Sequence, residues 1–178
     1  MAERIVALVD PDPRMRAATR ERMVQVGGRD ALAGVREFFD YRELYAKMGD
    51  ALDAVFIATP NHHHALAAVL AMRRGIHVFV EKPMASTVAE AQEIRKAKNF
   101  SYKTTEHTHE FYAAIRESRP ANTGFDYSVP LAETLLLANV AARAGKGAVL
   151  KWDGRSITNN PAANAFLSAP CRPGWELG

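Results

Sequence analysis

Short apolar runs alternate with longer stretches of helical period along the first hundred residues. RIVALVD (4–10), rich in Val and Ile and bounded by Pro11 and Pro13, predicts a buried strand ending at Asp10. PRMRAATRERMVQV (13–26) has helical spacing, with proline in its opening turn and Gly27–Gly28 at its end. VREFFD (35–40) predicts a strand, and Asp40 a cap for the short helix YRELYAKM (41–48). DAVFIAT (53–59) predicts a second buried strand, and NHHHALAAVLAMRRG (61–75) a helix with Asn61 as its cap and Gly75 as its stop. HVFV (77–80) predicts another strand, and STVAEAQEIRKAK (86–98) a helix capped by Ser86 or Thr87, with Glu90 in the first turn.

This alternation implies crossover connections and a parallel sheet. Residues 1–98 are therefore expected to form part of a doubly wound α/β domain, an incomplete parallel sheet with helices. Ligands of such sheets lie beyond the carboxyl ends of the strands. Those ends are Asp10, Thr59–Pro60–Asn61 and Glu81–Lys82–Pro83. Two charges directly after a buried strand are explained if that edge faces a ligand crevice.

The rhythm stops near Asn99. SYKTTEHTHE (101–110) reads as polar and extended, EFYAAIRESR (110–119) as a helix, and VPLAETLLLANVAARAG (129–145) as an amphipathic helix ended by Gly145. AVLKWD (148–153) reads as a strand, and the proline-rich tail as irregular. Residues 99–178 are thus expected to be a separate α+β segment.

Composition narrows the function classes. The 178 residues are 48% hydrophobic and 24% charged, as in an ordinary globular chain. A pI of about 9.1 suggests nucleic acid, but 23 basic residues stand against 20 acidic ones with no long Lys/Arg block, so no nucleic-acid partner is expected. No window is apolar enough for a membrane span, and no signal peptide is read at the N-terminus. Cys171 is the lone cysteine, which excludes an internal disulfide. The expected compartment is the cytoplasm.

Several residues carry candidate chemistry. Asp10 can accept from ribose hydroxyls, which favours NAD over NADP; its plainer reading is a cap or turn residue in DPDP. The three histidines 62–64 invite a metal, but helical neighbours point about 100° apart and cannot converge on one ion. His64, one turn into the helix, is the one expected to face a ligand. His107 and His109 would share a face if extended, near Glu106 or Glu110; a solvated loop is the plainer reading. No metal site is assigned. Lys82, at a strand mouth and partly desolvated, is suited to proton exchange with a substrate hydroxyl; a surface turn is its plainer reading.

Taken together, DAVFIATPNHHHALAAVLAMRRGIHVFVEKPMASTVAEAQEI (53–94) resembles the Gfo/Idh/MocA family of NAD(P)-dependent sugar and polyol oxidoreductases. The A-T-P-N-x-x-H turn and the G-x-H-V-x-x-E-K-P segment stand in the family's order and spacing. ERIVALVDPDP is similar to the second strand of the family's Rossmann domain. FDYSVPLAETLLLANVAARAGKGAVLKWDG, TNNPAANAFL and CRPGWEL are similar to the carboxyl end of one branch. The resemblance implies that Asp10 meets the adenosine ribose of NAD (or NADP). Thr59, Pro60, Asn61 and His64 would lie along the cofactor, with Glu81 near the nicotinamide ribose. Lys82 would touch the reacting hydroxyl of a sugar or polyol, and Pro83 would shape the turn through a cis bond.

Two departures accompany it. The G-x-G-x-x-G loop and first strand of the family have no counterpart, since Gly27–Gly28 and Gly145–Lys146–Gly147 do not fit that motif. The family's substrate domain, with the Asp and His that complete its proton relay, is expected to be reduced to residues 99–178. The chain is therefore expected to be a truncated Rossmann-like member. The alternative is a non-catalytic member that folds, or self-associates into a homo-oligomer through open sheet edges, without turnover.

Overall fold

A computed structural model describes residues 4–97 and 107–177. Lys98 and residues 99–106, including the predicted extended stretch 101–106 and Glu106, lie outside the described residues. The chain divides into two compact units, Met1–Leu52 and Asp53–Gly178.

In the first unit, β1 (Ala7–Val9) pairs in parallel with β2 (Arg36–Phe38), in the register Ala7↔Arg36 to Val9↔Phe38. Between them runs α1 (Pro13–Gly27). Pro13 opens it because its missing N–H has no helical partner there, and the Asp12 carboxylate accepts from the Arg14 N–H at 2.8 Å. Asp40 caps α2 (Tyr41–Met48) in the same way, accepting from the Arg42 N–H at 2.8 Å. Phe38, Leu44 and Tyr45 form the buried apolar centre of this unit. Arg16 and Arg20 on α1 both reach Glu37 on β2 at 3.0 Å. The Arg16 hydrogen bond, with Arg20 adding to it, holds the Glu37 carboxyl below its ordinary range.

In the second unit, β3 (Ala54–Ile57) and β4 (His77–Val80) pair in parallel, Ala54↔His77 to Ile57↔Val80. α3 (Asn61–Met72) crosses between them. Its Ala-rich body is buried along Ala65–Val69 and at Ala71. Small side chains there let α4 (Val88–Lys96) approach closely. Gly75 turns the chain into β4 with φ 75°, a left-handed conformation that glycine adopts without strain. α5 (His107–Arg116) and α6 (Phe125–Ala144) follow, then a 3-10 turn over Pro161–Phe166. Ala65 and Val69 of α3, Ala91 and Ile94 of α4 and Val129 of α6 share one core with Ala85. Val88, Val140, Ile157 and Ala163 form a second. Arg95 on α4 pairs with the buried Glu133 on α6 at 3.0 Å.

Thr87, not Ser86, caps α4. Its hydroxyl accepts from the Glu90 N–H at 3.2 Å, and the Glu90 carboxylate accepts from the Thr87 N–H at 2.9 Å, a reciprocal capping box. Thr87→Ala is expected to lower stability by about 1 kcal/mol. A urea melt checks this, and an unchanged midpoint would count against the cap.

The fold is α/β and Rossmann-like in part, with parallel pairs built by helical crossovers. Four expectations need correction. Along β1, β3 and β4 every residue but Ile57 is half-buried or exposed, with Phe56 48% exposed, because among the described residues each sheet has two strands and both are edges. Residues 107–109 are helical rather than extended, so the backbone that would have set both rings of His107 and His109 on one face is not adopted. Glu110 is instead buried against Arg119 at 2.6 Å and accepts from the Asn122 N–H at 2.9 Å.

α6 starts at Phe125 rather than 129 and carries Pro130 inside it. Residues 148–153 form no strand, only an isolated bridge from Trp152 to Ile157. The side chain of Asn159 takes the place of a partner strand, accepting from the Lys151 N–H at 2.7 Å and donating to the Val149 carbonyl at 2.8 Å. Asp153 turns the chain back by accepting from the Arg155 and Ser156 N–H groups.

The division by packing falls at 52/53, and α4 and α6, on either side of the expected 98/99 division, pack together. Among the described residues no helix is long and apolar enough to cross a membrane, and no group of three or more His, Cys, Asp or Glu is placed to hold a metal ion.

Candidate functional site

The carboxyl ends of β3 and β4 release two loops side by side, since the Glu81 N–H still donates to the Ile57 carbonyl at 2.9 Å. The first loop is Ala58–Thr59–Pro60, leading into α3. The second is Glu81–Lys82–Pro83, leading to Met84, packed on the core, and the buried Ala85. Glu81, Lys82 and Pro83 are all exposed. The question posed by charges after a strand thus has a local answer: the strand ends at an open edge, and charge there costs no desolvation.

The structure brings Thr59, Pro60, Asn61, His64, Glu81, Lys82 and Pro83 to this one edge. The Lys82–Pro83 peptide bond is cis, as the resemblance implies. The Thr59 hydroxyl oxygen is buried and has no hydrogen-bond partner among the described residues. Such an orphaned group is rare and suits a ligand that accepts or donates there. Asn61 is not the cap of α3. Pro60 holds that position, and no side chain bonds the first turn. A proline has no side-chain acceptor to offer; the His63 N–H donates to the Pro60 carbonyl at 2.8 Å, and the positive end of the helix dipole lies at the amides of Asn61 and His62. Thr59 and the first turn of α3 therefore fit a polar, phosphate- and ribose-bearing group.

Two side chains depart from expectation. Lys82 is exposed rather than partly desolvated, because no described element covers its loop. His64 does not face outward. Its ring is 1% exposed, with Nε2 2.7 Å from the Thr59 carbonyl oxygen and Nδ1 2.7 Å from the Pro83 carbonyl oxygen.

In the first unit, Asp10 follows β1 and its Oδ1 accepts from the Asp12 N–H at 2.7 Å, a tight turn. Arg16 donates to the Asp10 main-chain carbonyl.

The tail folds back on α3: the Trp175 ring meets His63 edge-on with centroids 4.8 Å apart, Arg172 lies over Trp175 at 4.7 Å, and Leu177 packs on the core. The only signal for this was an aromatic and a leucine in an otherwise polar GWELG end.

The family model GFO_IDH_MocA, described as an oxidoreductase family with an NAD-binding Rossmann fold, matches residues 2–104. The scyllo-inositol 2-dehydrogenase (NADP(+)) IolU of Bacillus subtilis is 47% identical over 60 residues, 34% of this chain and 18% of that protein. Glycosyl hydrolase family 109 protein 1 of Bacteroides thetaiotaomicron is 47% identical over 58 residues, 33% of this chain and 12% of that protein. The WlbA dehydrogenase of Bordetella pertussis, solved in complex with NADH and UDP-GlcNAcA, is similar at 23% identity and a TM-score of 0.37, over 65% of this chain and 43% of that one. The matches to the two curated relatives thus span less than a fifth of those proteins' lengths.

Proposed function

Because the chain belongs to the Gfo/Idh/MocA oxidoreductase family, with its NAD-binding Rossmann fold, we propose that it serves hydride transfer between a hydroxyl-bearing carbon of a sugar or polyol and NAD(P). The observation that carries this reading is the common sheet edge. It holds Lys82 on one loop and, on the adjacent loop, an orphaned Thr59 hydroxyl beside an uncapped helix N-terminus.

Each residue has a role in this reading. Thr59 and the first amides of α3, with Pro60 and Asn61 at their rim, hold the polar part of the nucleotide. Glu81 accepts from a ribose hydroxyl. Lys82 holds the substrate hydroxyl and takes its proton as the carbon gives up hydride, so that the alcohol becomes a carbonyl. Bound NAD(P) supplies the hydride acceptor. Pro83 shapes the loop that presents Lys82. In the first unit, Asp10 accepts from ribose hydroxyls, a preference for NAD over NADP, whose 2′-phosphate an acid repels. Residues 1–98 are the nucleotide-binding part in this reading, and 99–178 a portion of the substrate domain. The free thiol of Cys171 accords with the cytoplasm.

A second reading is a non-catalytic member that folds or self-associates without turnover. The open exposure of Lys82 and the unpaired edges of both two-stranded sheets favour it.

Thermal unfolding with NADH separates the two. At about 100 times its dissociation constant, a ligand that binds only the native state adds about 2.7 kcal/mol. For a chain of this length the midpoint then rises by roughly 5–10 °C. A cooperative transition that does not move with NADH or NADPH would sink the first reading. A transition that rises with protein concentration instead would establish the second.

A further inference from the structure

His64 is the most deeply buried polar side chain among the described residues, and both of its ring nitrogens are engaged outside its own helix turn. Nε2 meets the carbonyl of Thr59, which ends the β3–α3 turn. Nδ1 meets the carbonyl of Pro83, nineteen residues onward, in the loop after β4. We propose that His64 is a positioning residue that ties these two loops together and sets where Thr59 and Lys82 stand with respect to one another. The proposal rests on the function above only in calling that edge the working site.

The chemistry of the contacts supports a tie rather than a filler. A carbonyl oxygen only accepts, so each contact is satisfied by an N–H of the ring; a ring with one N–H holds one loop, and a ring with two holds both. No water competes at 1% exposure. Each contact also fixes a peptide plane that matters. The Thr59 carbonyl belongs to the residue whose hydroxyl is orphaned, and Pro60 restricts rotation after it. The Pro83 carbonyl belongs to the residue directly after Lys82, and Met84 and Ala85 are anchored in the core. With both carbonyls held, Glu81 and Lys82 are the part of the loop left to move.

The neighbouring histidines do not share the role. His63 packs on Trp175, and His62 is exposed on the same turn. The i+4 spacing from Pro60 is what turns the 64 ring inward, toward both strand ends. A position chosen only for apolar filling would be taken by Leu or Val without any partner among the loops.

The test uses the full chain, with His64→Phe and His64→Gln. Phe keeps a ring and offers no N–H, whereas Gln can still donate through its amide. Amide hydrogen exchange is followed by mass spectrometry over 57–63 and 79–86, and NADH affinity by titration. In His64→Phe, exchange is expected to rise about tenfold in both loops, the scale of one lost buried hydrogen bond, while α4 and α6 stay unchanged. His64→Gln is expected to recover part of the protection and part of the NADH affinity. Unchanged exchange, faster exchange in one loop only, or a uniform rise through the second unit would each overturn the tie. If His64→Phe does not fold, His64→Gln and the native ring decide: two slowly exchanging His64 ring N–H signals in a proton–nitrogen spectrum support the proposal, and one or none overturns it. Failure of the native chain to bind NADH counts against the proposed function alone, because the exchange readout needs no nucleotide.

Discussion

Lys82→Met is expected to lower kcat for NAD-dependent polyol oxidation by about 100- to 10,000-fold, the usual contribution of a positioned proton-transfer group. The reason is that the hydroxyl proton must leave as hydride departs, and Lys82 is the titratable cation on the loop that faces the open sheet edge. Stability should stay within about 0.5 kcal/mol of the native chain, because the residue is exposed and packs on no core. The NADH-dependent rise in melting temperature should also persist, since binding in this reading depends on Thr59, α3 and Glu81. Lys82→Arg adds a control: guanidinium keeps the charge but cannot give up its proton, so it should rescue binding of the hydroxyl and not turnover. The measurement is steady-state kinetics beside thermal melts of the same preparations. An unchanged kcat in Lys82→Met removes the lysine from the chemistry, and loss of the NADH shift would place it in cofactor binding instead.

Ile94→Ala is expected to have the largest effect on stability, a loss of about 2–5 kcal/mol. Ile94 is 1% exposed on α4 and sits in the core shared by α3, α4 and α6. Removing three carbons there leaves a void that Val69, Ala91 and Val129 cannot close, because small residues already bring the helices together. Natural stabilities are only about 5–15 kcal/mol, so such a loss takes a large share of the total. Urea unfolding should show a lower midpoint with an unchanged slope. Leu135→Ala on α6, where the side chain is 65% exposed, is the matched control and should shift stability by no more than about 0.5 kcal/mol. Equal effects at the two positions would mean that α4 does not pack as described.

Much of this site was legible without coordinates. The caps at Asp40 and Thr87, the last with Glu90, are contacts within three residues, so residue type and spacing suffice to find them. The runs around β1, β3 and β4 announced themselves by β-branched apolar residues, and their ends placed Thr59, Asn61, Glu81 and Lys82 at one edge. Local pattern misled where tertiary partners decided. The apolar run at 148–153 has a strand's composition, but Asn159 satisfies its backbone instead of a neighbouring strand. The polar stretch at 107–110 looked extended, yet it is helical, with Glu110 buried against Arg119.

His64 marks the limit most clearly. The sequence by itself determined that a histidine stands one turn into α3, that a lysine and a proline follow β4, and that both lie at carboxyl ends of parallel strands, because periodicity and connection rules act along the chain. The tertiary structure alone decided that the His64 ring turns inward to the Thr59 and Pro83 carbonyls, that Trp175 returns to cover His63, and that Lys82 stands in the open. Those outcomes depend on which distant groups arrive within hydrogen-bond or ring-packing distance, and a short-range pattern of residue types carries no information about that.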